Sequence, residues 1–185
     1  MAGHTKDWIV QKMLALLNKK SMDSIRVKEI CKNAGIGTAT FYYHFKDKYD
    51  LVAWMIWQAL KNDIPGNIET CTKILKHMKQ NQYYYQRLDS DPVAKSFISA
   101  SVMKYYIKQL TALVQKETGF TELDPQTAFD VEYYCCGRLF STIHWVVSNR
   151  VMPPESYARH LAYAMPPSLQ HIFPIQPVEA PEAAE

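Results

Sequence analysis

The chain has 185 residues, 48% of them hydrophobic and 21% charged, with a formal net charge of +3. That length is one domain, or one domain with a small appendage, and it can bury a core without disulfides or metals; the composition excludes disorder over most of the chain. The longest uncharged apolar run, 51–57, has seven residues against the ~20 of a membrane helix, and the first seven residues hold no apolar signal segment, so a cytoplasmic protein without a membrane partner is expected.

Helix-forming stretches alternate with sharp breakers and strand-like alternation is scarce, which predicts an all-α fold of about nine helices. The first spans 5–19, where Ile9, Met13, Leu16 and Leu17 make one apolar stripe and Lys12, Lys19 and Lys20 lie off it. The second spans 27–34 with Val27, Ile30, Cys31 and Ala34 inward, and Gly35 stops it in the left-handed conformation. Gly37 caps a third short helix over 38–43. Two short helices joined by a tight glycine turn have the layout of a helix-turn-helix. Asp47 caps the amides of Tyr49 and Asp50 and starts a fourth helix, 48–62, which Pro65-Gly66-Asn67 ends.

Beyond that turn one helix is expected over 68–88, broken by Asp89-Ser90-Asp91-Pro92. Another covers 93–118, in one piece or two, with Gly119 as its stop. Asp124 caps a helix that has Pro125 at its first position and runs to 149. The last helix begins at Pro153-Pro154-Glu155 and ends near Pro166-Pro167. The expected domains are a head at 1–50, a helical sensing and dimerisation body at 51–173, and a disordered tail at 174–185 that is rich in Pro, Glu and Ala.

Charge is distributed unevenly. Residues 1–50 hold nine Lys or Arg and five Asp or Glu, a net of +4, while the rest of the chain holds twelve basic and thirteen acidic residues. The whole excess therefore lies in the first fifty residues, around the helix-turn-helix, as is expected of a polyanion-binding segment. Cys31, Cys71, Cys135 and Cys136 form no C-x-x-C, and the six histidines show no metal-ligand spacing, so no metal and no cofactor are expected. No nucleophile elbow, Walker A loop or dinucleotide loop is present, which argues against an enzyme.

The segment 27–51 decides the reading. Ala34-Gly35-Ile36-Gly37 followed by Thr40-Phe41-Tyr42-Tyr43-His44-Phe45, Lys48 and Leu51 resembles the DNA-binding head of the tetracycline-repressor (TetR) family over residues ~5–60. Two positions depart from that pattern: Arg26 replaces the usual Ser or Thr before the second helix, and Gly37 the usual Ser cap of the third. The resemblance implies a recognition helix lying in the major groove with its first residues at base edges. Thr38, Ala39 and Thr40 occupy that turn, where hydroxyls and methyls read bases. His44 is placed near bases, Tyr42 and Tyr43 offer hydroxyls to phosphates, and Lys48 supplies a phosphate-binding charge beside the free amides of the fourth helix. Arg26 is a further phosphate candidate. On this reading Tyr42→Ala and Lys48→Ala weaken operator binding and leave thermal stability nearly unchanged. Phe41 and Phe45 belong to the core, and Lys46 is a solvated charge.

The body is rich in aromatic groups, most of them core. Trp57, His77, Tyr84, Phe97, Tyr105 and Tyr134 are the candidates for lining an effector pocket. Gly137, Phe140, Ser141, His144, Trp145, Tyr157 and Leu161 are the candidates for a homodimer interface, because the resemblance implies a four-helix bundle made from the last two helices of each subunit. The stretches Phe41–Ile56 and Gly137–Tyr157 look like those of regulators related to dihydroxyacetone-kinase operon activators. The expected function is a sequence-specific DNA-binding transcriptional regulator, a repressor by default, whose affinity for a double-stranded DNA operator follows an effector, small molecule or protein, bound to the body. The alternative is a regulator or activator controlled by a partner protein.

Overall fold

A computed structural model describes residues 2–148 and 152–176. It holds ten helices and, among the described residues, no strand: α1 (Ala2–Leu17), α2 (Val27–Ala34), α3 (Thr38–His44), α4 (Lys48–Leu60), α5 (Ile68–Gln80), α6 (Gln82–Asp89), α7 (Pro92–Thr118), α8 (Pro125–Val147), α9 (Pro154–Tyr163) and α10 (Pro167–Ile172). The all-α expectation holds, with one helix more than about nine. The end expected for α8 at 149 lies outside the described residues.

The chain divides into two compact units, each drawn from separated stretches. The first contains everything up to Ala59 together with Asn81–Tyr106; the second contains Leu60–Gln80 and the chain from Ile107 onward. The sequence boundary at residue 50 falls inside the first unit.

In the first unit the α1 stripe behaves as its spacing requires. Ile9, Met13 and Leu17 are fully buried and Leu16 nearly so, joined by Met22, Ile25, Ile30, Phe41 and Leu51. Gly35 ends α2 at φ 65°, ψ 32°, and its amide and that of Ile36 close back onto Lys32 and Cys31 carbonyls. The expected single helix over 68–88 is two. Asn81, at φ −105° and ψ 20°, interrupts it between α5 and α6, and the two halves join different units. Conversely, α7 is one uninterrupted helix of 27 residues, started by Asp91, whose Oδ1 accepts from the amides of Val93 and Ala94 at 2.9 Å each.

The second unit is built on α5, α8, α9 and α10. Asp124 Oδ1 accepts from the amides of Gln126 and Thr127 at 3.0 and 3.1 Å, so α8 starts where its cap predicts. Cys71, Leu75 and Met78 of α5 and Val131, Cys135, Leu139 and Val146 of α8 are buried. At its centre Arg138 and Asp63 form an ion pair of 2.6 Å with both side chains almost fully buried.

The tail expectation fails at its start. Gln176 donates its amide to the Gly66 carbonyl at 3.0 Å and bridges with Asn67, so 174–176 are ordered against the turn before α5, and α10 precedes them; residues 177–185 lie outside the described residues. Gly66 makes this possible. At φ +79° it occupies the left-handed region, and a Cβ there would sit 2.7 Å from the Pro174 carbonyl oxygen and 2.8 Å from that of Phe173. Both neighbours are backbone and cannot step aside. Gly66→Ala is expected to cost about 2 kcal/mol, the sum of a positive-φ penalty and the displaced strap, measurable by urea denaturation. A loss below about 0.5 kcal/mol, within the scatter of neutral surface changes, would show that the strap yields freely.

Candidate nucleic-acid interface

The candidate interface is built by α2, its turn and α3. Phe41 is fully buried and Phe45 is 2% exposed; their rings meet at 5.8 Å between centroids and anchor α3 to the head. The opposite face of α3 is open. Thr38, Ala39 and Thr40 are exposed in its first turn, and Tyr42 and Tyr43 are 58% and 83% exposed. Two aromatic rings turned to water cost free energy unless something covers them. His44 is half-buried, its ring edge-on to Tyr43 at 5.0 Å. Arg26 is exposed and donates from Nη1 to the Asp23 carbonyl at 2.9 Å; it does not cap α2 through its side chain.

The structure thus brings seven of the eight expected contact residues to the solvent side of the head. Lys48 is the exception. It is only 9% exposed, and its Nζ donates to the carbonyls of Met22, Ile25 and Asp23 at 2.7, 3.0 and 3.2 Å. An ammonium has three donors, and all three are engaged inside the fold. Burial pushes the Lys48 pKa below its ordinary value, with repulsion from Arg26 acting in the same direction. The amides expected to attract a phosphate at the start of α4 are also occupied: Asp47 Oδ1 accepts from Tyr49 and Asp50 at 2.8 Å, and Asp50 Oδ2 accepts from the Lys46 amide at 3.0 Å. The phosphate role of Lys48 is therefore corrected to that of an internal tie between the α1–α2 connection and α4. Charge sign alone concealed this, because a lysine near a helix start reads as solvated until the carbonyls facing it are known.

A residue absent from the sequence reading secures the same element. Trp8 of α1 donates its Nε1–H to the Ala34 carbonyl at 2.9 Å, satisfying a C-terminal carbonyl of α2, and the Lys12 ammonium lies 3.7 Å from its ring centroid. The Trp8–Lys12 spacing of one helical turn was the available signal.

Residues 9–55 match the family described as bacterial regulatory proteins, tetR family. Over that segment the chain is of the TetR N-terminal type. It is 35% identical over 68 residues to the HTH-type transcriptional regulator AcrR of Shigella flexneri, an overlap of 37% of this chain and 31% of that protein. It is 31% identical over 75 residues to an HTH-type transcriptional regulator of Staphylococcus aureus strain USA300, 35% of this chain and 40% of that one. The chain thus spans well under half the length of these curated relatives. Two solved structures share the fold over most of their length. The dihydroxyacetone kinase operon activator DhaS is 19% identical, with a TM-score of 0.56 over 91% of this chain and 96% of that one. A TetR transcriptional regulator from Streptococcus agalactiae 2603V is 20% identical, with a TM-score of 0.52 over 88% and 94%.

The residues expected to line a pocket are divided between the units. Trp57 and Tyr105 stack at 5.8 Å and Phe97 meets Tyr49 at 6.1 Å in the first. Tyr84 is half-buried there, while His77 is exposed and Tyr134 buried in the second. Among the expected dimer residues Gly137, Phe140, Ser141 and His144 are exposed on α8. Trp145 is not: it is 2% exposed, stacks on Tyr157 at 4.7 Å and 7°, and donates to the Met152 carbonyl at 3.1 Å. Trp145 is therefore packed within the chain, Tyr157 beside it is half-buried, and Leu161 is buried, bordering a cleft of about 330 Å³ with Tyr133, Gly137 and Ser141. Among the described residues no helix is long and apolar enough to cross a membrane, and no cluster of metal-ligating side chains occurs.

Proposed function

We propose that this chain is a sequence-specific, DNA-binding transcriptional regulator that reads its operator with α3. The observation that carries the reading is the solvent-facing row Thr38, Ala39, Thr40, Tyr42 and Tyr43 on a helix clamped from behind by Phe41 and Phe45. Thr38, Ala39 and Thr40 meet base edges and thymine methyls; Tyr42, Tyr43 and Arg26 contact phosphates and His44 the last base step. With Lys48 turned inward, exposed Lys46 supplies the cation at the C-terminal side of α3.

The regulator acts as a homodimer that represses by default, and an effector in the body changes the orientation of the two heads. Phe129, Tyr133, Gly137, Phe140 and His144 are exposed at helical spacing along α8, with three aromatic rings more than half exposed, which supports a pairing face. That same stripe favours a second reading, in which a partner protein docks on the body and the sign is activation, as the name of the similar operon activator suggests. Light scattering of the chain alone separates the two: a dimer covers the stripe without a partner.

Tyr43→Ala is expected to weaken operator binding by about 1–2 kcal/mol, as loss of a phosphate-side hydrogen bond and its packing would, and to leave thermal unfolding unchanged because the ring is 83% exposed. Lys46→Gln is expected to reduce the salt slope of binding by about one unit. Selection of bound sequences from a random pool, followed by titrations at two salt concentrations, tests the reading; binding that is equal for selected and scrambled sequences refutes it.

A further inference from the structure

The first unit contains a cleft of about 430 Å³ bounded by Met22 and Asp23 of the α1–α2 connection, Tyr49 of α4, Arg87 of α6, and Asp91 and Val93 at the start of α7. Its volume lies within the ~300–1,000 Å³ typical of small-molecule sites. Asp91 carries the chemistry. The residue is 9% exposed; one carboxylate oxygen caps α7, and the other, Oδ2, is buried with no hydrogen-bond partner among the described residues. Buried polar atoms are almost always paired, and a carboxylate without a donor is the costliest exception.

The neighbouring cations do not fill the vacancy. Lys48 feels the Asp91 charge, but its three donors are engaged by Met22, Asp23 and Ile25 carbonyls. Arg87 lies over the Tyr83 ring and donates to the Tyr83 hydroxyl. What the site lacks is a hydrogen-bond donor. The charged side chains lining the cleft are the carboxylates Asp23 and Asp91 and the Arg87 guanidinium, with the Lys48 ammonium nearby but outside the lining and held by carbonyls; an N–H donor suits the unpaired Asp91 oxygen, and Met22 and Val93 offer an apolar wall. We propose that this cleft binds a small organic ammonium with an apolar body, its N–H groups directed to Asp91 and its body against Met22 and Val93. Such a ligand would touch the Met22–Asp23 backbone that Lys48 ties to α4, which places it in reach of the head.

Calorimetric titration of the full chain with phenethylammonium, in the absence of DNA, tests the site independently of the DNA-binding reading. Saturable one-to-one binding is expected. Asp91→Asn keeps the α7 cap but removes the charge and should weaken binding at least about tenfold. Val93→Trp, placed at a side chain 58% exposed and so tolerant of size, should block it to the same degree even if the Asp91 variant unfolds. Neutral 2-phenylethanol and anionic 3-phenylpropionate should bind at least about tenfold more weakly than the ammonium. Absence of saturable phenethylammonium binding, or equal binding of the ammonium and the alcohol, or equal affinity in wild type and Val93→Trp, overturns the proposal.

Discussion

Arg138→Met is expected to destabilise the chain by about 3–5 kcal/mol, the cost of stranding one partner of a buried ion pair. Arg138 donates from Nε to Asp63 Oδ2 at 2.8 Å and from Nη2 to Oδ1 and Oδ2 at 2.7 and 2.6 Å. It also reaches the Tyr134 hydroxyl at 3.0 Å and the Cys71 sulfur at 3.2 Å. The bidentate geometry satisfies both carboxylate oxygens, which a lysine's single ammonium could not reproduce. Without the guanidinium, the Asp63 carboxyl loses its ion-pair partner at 6% exposure. Against a total stability of about 5–15 kcal/mol the loss is large, and at ~2–4 °C per kcal/mol for a chain of this size the melting temperature falls by roughly 6–20 °C. Removing both charges as Asp63→Leu with Arg138→Met should recover most of the loss, because well-packed apolar replacements of buried pairs are near neutral. Chemical denaturation of the two single variants and the double variant measures this cycle. Independent, additive losses would mean that the pair is not coupled.

Lys48→Met is expected to cost about 3 kcal/mol, since three carbonyls lose a charged donor and those of Met22 and Ile25 are buried, each such loss being worth ~1–3 kcal/mol. The variant should lose operator affinity only in step with the order of the head, with the salt slope of binding unchanged. A phosphate contact predicts the opposite pattern, a slope reduced by about one with stability intact. Alkaline pH provides a further check. The Lys48 pKa is lowered from 10.5 by burial. Between the lowered value and 10.5 the unfolded chain binds more protons than the folded one, so the stability of wild type relative to Lys48→Met rises with pH in that window. Below the lowered value both states are protonated and the relative stability is flat.

Lys48 and Arg138 also show where sequence reading stops. Both are cations on helices, and a cation's default environment is water. Their roles depend on Met22, Asp23 and Ile25 carbonyls lying 23–26 positions away and on a carboxylate 75 positions away. No local pattern encodes such pairings. Trp145 misled in the same way: its place among apolar α8 residues suggested an interface, but Tyr157 of α9 and the Met152 carbonyl claim it inside one chain. The break at Asn81 is likewise tertiary, since the apolar spacing of α5 runs on towards Tyr85 without a proline or glycine to interrupt it.

By itself the sequence determined the all-helical class, the α2–Gly35–α3 turn, the Asp47 and Asp124 starts of α4 and α8, and the inward placement of Phe41 and Phe45 on α3. These follow from interactions within four residues, whose geometry the 3.6-residue period and the capping chemistry prescribe. The tertiary structure decided which of the basic residues near the head face water, where the two compact units divide, and which carboxylate was left without a donor. Those outcomes are set by burial, which depends on what the rest of the chain brings into contact.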